Sequence, residues 1–372
     1  MTEIIYIFKI LLYFLLVYCT YRTAKRSYAR KKKLSWISIL VCSLLFGYYS
    51  ILIGNPDLIS DRGNYAGEYV DVYWDVSETE SVGLNFVYNL LRPISLNPNF
   101  LFFVVYTVYI ALTLIVYRYY KSAQPRALLF LLCSLYPIFG FYAFKQCIAN
   151  VLILIATILY FNMEAGHRFF GRKVIVWIFI TTFLFGAILF HEAALLAPLV
   201  FVLFLFWKNK IVRVLGYVAI FAGIFAFSTI LNSFLASVGN FSEALAEQTA
   251  AYDEGLGFTS NILTGVKGLP FFIITFIAFR NRKLLYRKIK SYDKYLLLSL
   301  IVSSLQLCSI YNYWIFRLAL FFYFPVMVFA CLLRDAMLER GKSVRWFNWS
   351  FYLTLILSIK EITQLYFLYG GV

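Results

Sequence analysis

The stretch Val174 to Trp207, VIVWIFITTFLFGAILFHEAALLAPLVFVLFLFW, decides the fold. Its only ionisable residues are His191 and Glu192 near the middle, and Arg172-Lys173 and Lys208 bound it on either side. The runs 174–190 and 192–207 each approach the roughly 20 apolar residues that a lipid-spanning helix needs. They read as two membrane crossings that meet at a His-Glu pair.

The same reading extends to both ends of the chain. Apolar segments recur at 4–21, 34–53, 100–117, 127–143, 146–162, 214–232, 268–280, 295–310, 313–333 and 347–369, which makes twelve crossings with the two above. The segment 268–280 is the shortest and needs residues 262–269 to complete a crossing. Composition agrees: 372 residues at 62% hydrophobic, 20% aromatic and 14% charged, with mean hydropathy +0.77, exclude a soluble enzyme with a membrane tail. The formal charge of +16 does not indicate a nucleic-acid partner, because the basic residues are dispersed in short connections.

Those connections set the orientation. Arg22, Lys25, Arg26 and Arg30 to Lys33 follow the first segment; Arg118, Lys121 and Arg126 follow the third; Arg168, Arg172 and Lys173 the fifth; Lys208, Lys210 and Arg213 the seventh. Arg280 to Lys294 and Arg334 to Arg345 continue the alternation after the ninth and eleventh. Most of the 34 basic residues therefore share one side, the cytoplasm, and both termini are predicted outside. Cys19, Cys42, Cys133, Cys147, Cys308 and Cys331 lie in or beside apolar segments without C-x-x-C spacing, as small core residues do. The expectation is an all-α polytopic integral membrane protein, one domain over 1–372, with two sizeable outer loops at about 54–99 and 233–267.

Within the first outer loop, Leu84, Val87, Tyr88 and Leu91 recur at helical spacing, which predicts an amphipathic helix on the membrane surface ending at Arg92-Pro93. More telling are ionisable residues at the outer ends of crossings: Lys145 beside Gln146, His191 with Glu192, and Arg317 within Tyr311 to Arg317. Charged groups in or near lipid usually pair or mark a ligand path. Each has a structural alternative. Arg317 can snorkel to headgroups, Lys145 can cap a crossing, and Glu192 can partner a cation at a helix start. His191 is one of two histidines; the other, His167, sits in a basic loop. Two or three cations at one depth suit a pyrophosphate, because charge-assisted hydrogen bonds contribute roughly 1.5–3 kcal/mol each. A nearby imidazole can move a proton near neutral pH.

The runs Asp61-Arg62-Gly63-Asn64-Tyr65, Lys145-Gln146-Cys147-Ile148-Ala149, Phe190-His191-Glu192-Ala193-Ala194-Leu195-Leu196 and Tyr313-Trp314-Ile315-Phe316-Arg317-Leu318 resemble the EpsG-like family of Wzy-type polysaccharide polymerases. The resemblance implies a glycosyltransferase-C-like fold and a bacterial inner-membrane enzyme that joins undecaprenyl-pyrophosphate-linked oligosaccharide units into O-antigen, capsule or exopolysaccharide. No metal or cofactor is expected, because the outer acidic residues show no D-x-D spacing beside a histidine pair; the resemblance adds a chain-length regulator as a candidate protein partner. On it, His191 and Asp61 are the catalytic candidates, and Arg317, Lys145, Arg62, Arg92, Tyr65, Gln146 and Tyr313 the candidates for holding pyrophosphate and sugar. The family pattern has arginine where this chain has Lys145, which keeps the charge but loses the bidentate fork. Asp61 has the alternative of an Asx-turn before Gly63, and the aromatic residues at 311–314 that of an interfacial belt. Lys145, His191 and Arg317 are expected to share one cavity. The rival readings are a flippase for the same lipid-linked sugar, disfavoured because no internal repeat is visible, and a ligase-like transferase.

Overall fold

The structure is a computed structural model, and it describes residues 2–52, 60–71, 81–120, 124–135, 144–164, 166, 173–207, 211, 213–214, 216–218, 268–309 and 314–369. Among these residues there is no strand; the architecture is all-helical. In chain order the helices are α1 (Thr2–Ala29), α2 (Trp36–Leu52), α3 (Ser60–Val70), α4 (Val82–Leu91), α5 (Pro98–Tyr119), α6 (Pro125–Phe130), α7 (Phe144–Glu164), α8 (Lys173–Phe190), α9 (Leu196–Phe206), α10 (Leu269–Leu285), α11 (Tyr292–Cys308), α12 (Trp314–Leu320), α13 (Tyr323–Leu338) and α14 (Arg345–Tyr369). A single wide turn, Leu131–Leu135, prolongs α6, and a 3-10 turn, Glu192–Leu195, precedes α9.

Four stretches among the described residues are long and apolar enough to cross a membrane: Ile7–Ala29, Pro98–Tyr119, Phe144–Glu164 and Lys173–Phe190. At 1.5 Å per residue a helix such as α5 spans about 33 Å, enough for a hydrocarbon core of roughly 30 Å. Exposed apolar side chains line these helices, as with Val174, Ile178 and Phe185 on α8, and also the shorter apolar α2, with Ile37, Leu40 and Leu44. In water that would be an aggregation surface; here it is the face a membrane protein offers to lipid.

The chain divides into two compact units, residues 1–194 with 355–372, and residues 195–354. In the first, α2 packs along α5, α7 along α8, α5 on α7 and α1 on both α2 and α6. Gly47 permits the α2–α5 approach, since a Cβ there would lie 2.9 Å from the Phe103 carbonyl oxygen and collide with the Thr107 hydroxyl. In the second unit, α11 packs on α10, α12 and α13. Thr275 of α10 shares a buried hydroxyl cluster with Ser299 and Ser303 of α11, 2.8 Å from the Ser303 oxygen, the interhelical polar contact usual where helices meet away from water.

Two helices depart from the sequence reading for identifiable reasons. The segment 313–333 reads as one crossing, but the helix breaks at Phe321-Phe322 and resumes as α13. Pro325 stands four residues after Phe321, and a proline ring clashes with that carbonyl and cannot bond it. The run around Asp61 reads as loop, yet Ser60–Val70 is helix. The segment 214–232, the outer loop 233–267 and the completing residues 262–267 of the ninth crossing lie outside the described residues apart from 214 and 216–218.

Candidate functional site

In the first unit, α3 starts a cluster of cationic and aromatic side chains. Arg62 is buried at 1% exposure, a position a guanidinium holds only with compensation. Its Nη2 donates to the Ser50 carbonyl at 3.1 Å, at the end of α2, and its charge lies 4.2 Å above the Phe102 ring on α5. One turn on, at i+3, Tyr65 meets the Phe144 ring of α7 at 5.3 Å, and the Lys145 ammonium lies 5.3 Å above the Tyr65 ring. Phe144 closes the set by contacting Phe102 at 5.4 Å and Tyr106 at 5.8 Å. Arg62 and Lys145 are thus tied to one aromatic cluster at the starts of α5 and α7. Asp61 shares the α3 backbone helix, but its side chain lies outside the described residues.

Gln146 follows Lys145 on α7 and is 1% exposed, with neither its amide nitrogen nor its amide oxygen hydrogen-bonded among the described residues. A buried amide left so costs about 1–3 kcal/mol, so it calls for a reason. Asn150 and Thr157, one and three turns further on the same face, are also buried. The spacing 146, 150, 157 within an apolar helix was a legible signal, and Asn150 is the residue that reading by motif misses.

Arg92 is placed by its hydrogen bonds to the end of α3: Nε donates to the Tyr69 carbonyl at 3.1 Å, and Nη2 to those of Glu68 at 2.6 Å and Asp71 at 2.9 Å. The last carbonyls of a helix lack intrahelical partners, and a guanidinium suits them by hydrogen bonding and by charge. Tyr88 adds a bond from its hydroxyl to Glu68 Oε2 at 3.1 Å. The predicted stripe of α4 faces the protein, with Leu84, Tyr88 and Leu91 buried, whereas Val82, Phe86 and Leu90 on its other face are exposed.

The start of α4 seats on the end of α8. Ser81 caps α4 by accepting from the Leu84 N–H at 3.3 Å, and its hydroxyl reaches the Phe190 carbonyl at 3.1 Å. His191 follows directly. Its Nδ1 accepts the Ala193 N–H at 3.1 Å, which caps the 3-10 turn. An Nδ1 that accepts places the proton of a neutral imidazole on Nε2. Through α3 and α4, Arg62, Tyr65, Arg92, Lys145, Gln146 and His191 all collect at the end of the unit where α2 and α8 finish and α5 and α7 begin. Arg22 to Lys33, Arg118 and Lys173 collect at the opposite end.

Arg317 belongs to the second unit, on α12, half-buried beside buried Ile315 and Phe316. Tyr313 lies outside the described residues. Among the described residues no group of three or more His, Cys, Asp or Glu side chains could hold a metal ion.

The model of the EpsG family matches residues 58–369, which takes in α3 through α14 and every candidate above. The chain belongs to the EpsG family. It is a family of Wzy-like polysaccharide polymerase-type proteins, so a polysaccharide-polymerase-like function and a glycosyltransferase-type enzyme are the coarse assignment for this EpsG-family chain. No curated protein and no solved structure matches the chain significantly.

Proposed function

We propose that this EpsG-family chain joins undecaprenyl-pyrophosphate-linked oligosaccharide repeat units on the outer face of the bacterial cytoplasmic membrane. In this reading it crosses the membrane about twelve times in a glycosyltransferase-C-like arrangement, with the basic end of the first unit toward the cytoplasm. The observation that carries it is the meeting of Arg62, Tyr65 and Lys145 around one aromatic cluster, next in sequence to the buried amide of Gln146, which has no hydrogen-bond partner among the described residues. Cations held by aromatic faces keep part of their charge available to an anion, and a waiting amide suits a sugar hydroxyl or a phosphate oxygen.

The chemistry is a displacement. The acceptor sugar hydroxyl oxygen forms a bond to the donor's anomeric carbon, the bond from that carbon to the pyrophosphate oxygen breaks, and the hydroxyl proton passes to the Asp61 carboxylate. Lys145 and Arg62 in the first unit stabilise negative charge as it gathers on the leaving pyrophosphate; Arg317 is proposed separately, as a phosphate-binding cation of the second unit. His191, presenting Nε2–H, donates to the same developing charge. Its cap supports that role: accepting at Nε2 would first require the proton to move to Nδ1, which accepts the Ala193 N–H. Arg92 serves by fixing α3.

The test uses a strain lacking the chain, complemented with variants and scored by surface-polysaccharide ladders. An asparagine at 191 places its amide oxygen near the position of Nδ1, so His191→Asn retains the cap but lacks Nε2–H. The expected result is a membrane-inserted His191→Asn that yields single-repeat product only. Wild-type ladders from both His191→Ala and Arg317→Ala would overturn the assignment. Accumulation of repeat units on the cytoplasmic side would point to a flippase instead.

A further inference from the structure

At the end of the first unit away from the candidate site, a cavity of about 560 Å³ lies between the end of α1, the turn into α2 and the end of α5. Lys31, Lys32, Lys33 and Arg118 line it, with Leu34 and Tyr120 among its other walls and no Asp or Glu. Four cations gathered without a counter-charge repel one another unless an anion joins them. The C-terminal dipoles of α1 and α5 point here too, but each carries only about half a negative charge, so about three positive charges remain.

Two local features argue for a built site. The first is backbone conformation. The Lys31 N–H bonds the Tyr28 carbonyl at 2.9 Å and the Lys32 N–H the Ser27 carbonyl at 2.9 Å, the double closure that ends a helix with a left-handed residue. That residue is Lys31, at φ 54°. Glycine is the usual occupant; a lysine accepts a conformation disfavoured for side chains, and in return holds a fourth cation on the cavity wall. The second is Arg118. One guanidinium nitrogen donates to the Leu34 carbonyl, and the plane lies 4.6 Å above the Trp36 ring, which fixes the group in place. Its Nε is buried and has no hydrogen-bond partner among the described residues. Lys33 is similarly steadied, 4.7 Å above Tyr119.

We infer that this cavity binds the phosphate of an acidic membrane lipid. The ligand chemistry is that of a phosphate anion, and the surroundings favour a lipid as its source. Tyr28, Trp36 and Ile37 beside the cavity are exposed, the aromatic and apolar rim that belongs at a membrane interface. Basic pockets between spanning helices on the cytoplasmic side take anionic headgroups. Residues 24–36, which supply the three lysines, lie outside the span matched to the family, whereas Arg118 and Tyr120 lie inside it.

The experiment reconstitutes the full chain in nanodiscs of phosphatidylcholine with a minor share of phosphatidylglycerol, and measures retained lipid by native mass spectrometry. The wild type should keep one phosphatidylglycerol in preference to phosphatidylcholine, less so as salt rises. Replacing Lys31, Lys32 and Lys33 together by Gln should weaken retention roughly a hundredfold, on the order of fivefold per lysine. The matched loss of three charges from Lys283, Lys288 and Lys290 should leave it unchanged. Lys31→Gly, which relieves the left-handed strain, should raise the melting temperature in phosphatidylcholine while lowering retention about fivefold. Equal retention by the two triple variants, or no lipid preference in the wild type, would overturn the site. Displacement of the lipid by micromolar inorganic pyrophosphate would overturn the lipid as its occupant.

Discussion

Replacing Gln146 by methionine separates a ligand-waiting amide from a structural one. The side chain is 1% exposed, and neither amide atom has a hydrogen-bond partner among the described residues. Among the described residues the amide is desolvated without a compensating partner, at a cost of about 1–3 kcal/mol. Methionine has nearly the same length and volume and no polar group to desolvate, so most of that cost disappears. Gln146→Met should unfold later than wild type, by about 1–3 kcal/mol in a denaturant titration of the purified protein, while surface-polysaccharide ladders from cells carrying it collapse to short products. Gln146→Glu supplies the control: the same shape with a carboxylate should both destabilise the protein and repel an anionic substrate. The reasoning fails if Gln146→Met destabilises the protein, because the amide would then have had a partner. It fails equally if the more stable variant polymerises normally, because the amide would serve no ligand.

Four further outcomes follow from the geometry. Arg92→Lys keeps the charge but cannot reach the carbonyls of Glu68, Tyr69 and Asp71 together; amide hydrogen exchange over 60–71 should rise by an amount worth about 2 kcal/mol, and a lysine that restored protection would show that charge alone suffices. Gly47→Ala should destabilise the first unit by about 1–3 kcal/mol, read as a lower melting temperature, because the new methyl has no room against the Phe103 carbonyl and Thr107. Gly83→Ala places a methyl 2.8 Å from the Phe190 ring; polymer length should fall through displacement of His191, and a second-site Phe190→Leu should restore it. Burial pushes the Asp293 carboxyl up, but the hydrogen bond and charge of Arg282, then those of Arg213, outweigh it and hold the group below its ordinary 3.8. A depressed carboxylate contributes stability at pH values above its unfolded pKa and loses it as pH falls through the folded one. Stability should therefore fall as pH drops below about 4 and Asp293 becomes protonated, and Asp293→Asn should flatten that part of the curve.

How far the sequence could be read depended on which forces act locally. Apolar runs that must satisfy their backbone within themselves have helix as their only open-ended solution in lipid. The helices at 98–119, 144–164 and 173–190 accordingly coincide with segments read from composition alone. The stripe 84, 87, 88, 91 likewise gave α4 from periodicity. Its facing did not follow, because Val82, Phe86 and Leu90 form a second apolar face of equal plausibility. Which face turns inward was decided by Tyr69 on α3, 5.5 Å from the Tyr88 ring, and by Phe190 under Gly83. The α3 helix was illegible for a similar reason: with Gly63, Asn64 and Gly67 its intrinsic preference is poor, and Arg92 and Tyr88 supply from outside what propensity lacks.

The sequence by itself determined an apolar, all-helical chain with its basic residues gathered in alternate connections, and it singled out Lys145, His191 and Arg317 as charges in unusual places. Those properties depend on composition and on spacing along one helix, and both can be counted on a string. Tertiary structure decided the rest: that Arg62 lies over Phe102, that Lys145 stands over Tyr65, that Arg92 is used by α3, and that His191 holds its lone pair to a backbone N–H. Each of these joins residues of different helices, or a side chain to a turn it must first help to form. No local preference encodes such a pairing, because its energy exists only once the helices have met.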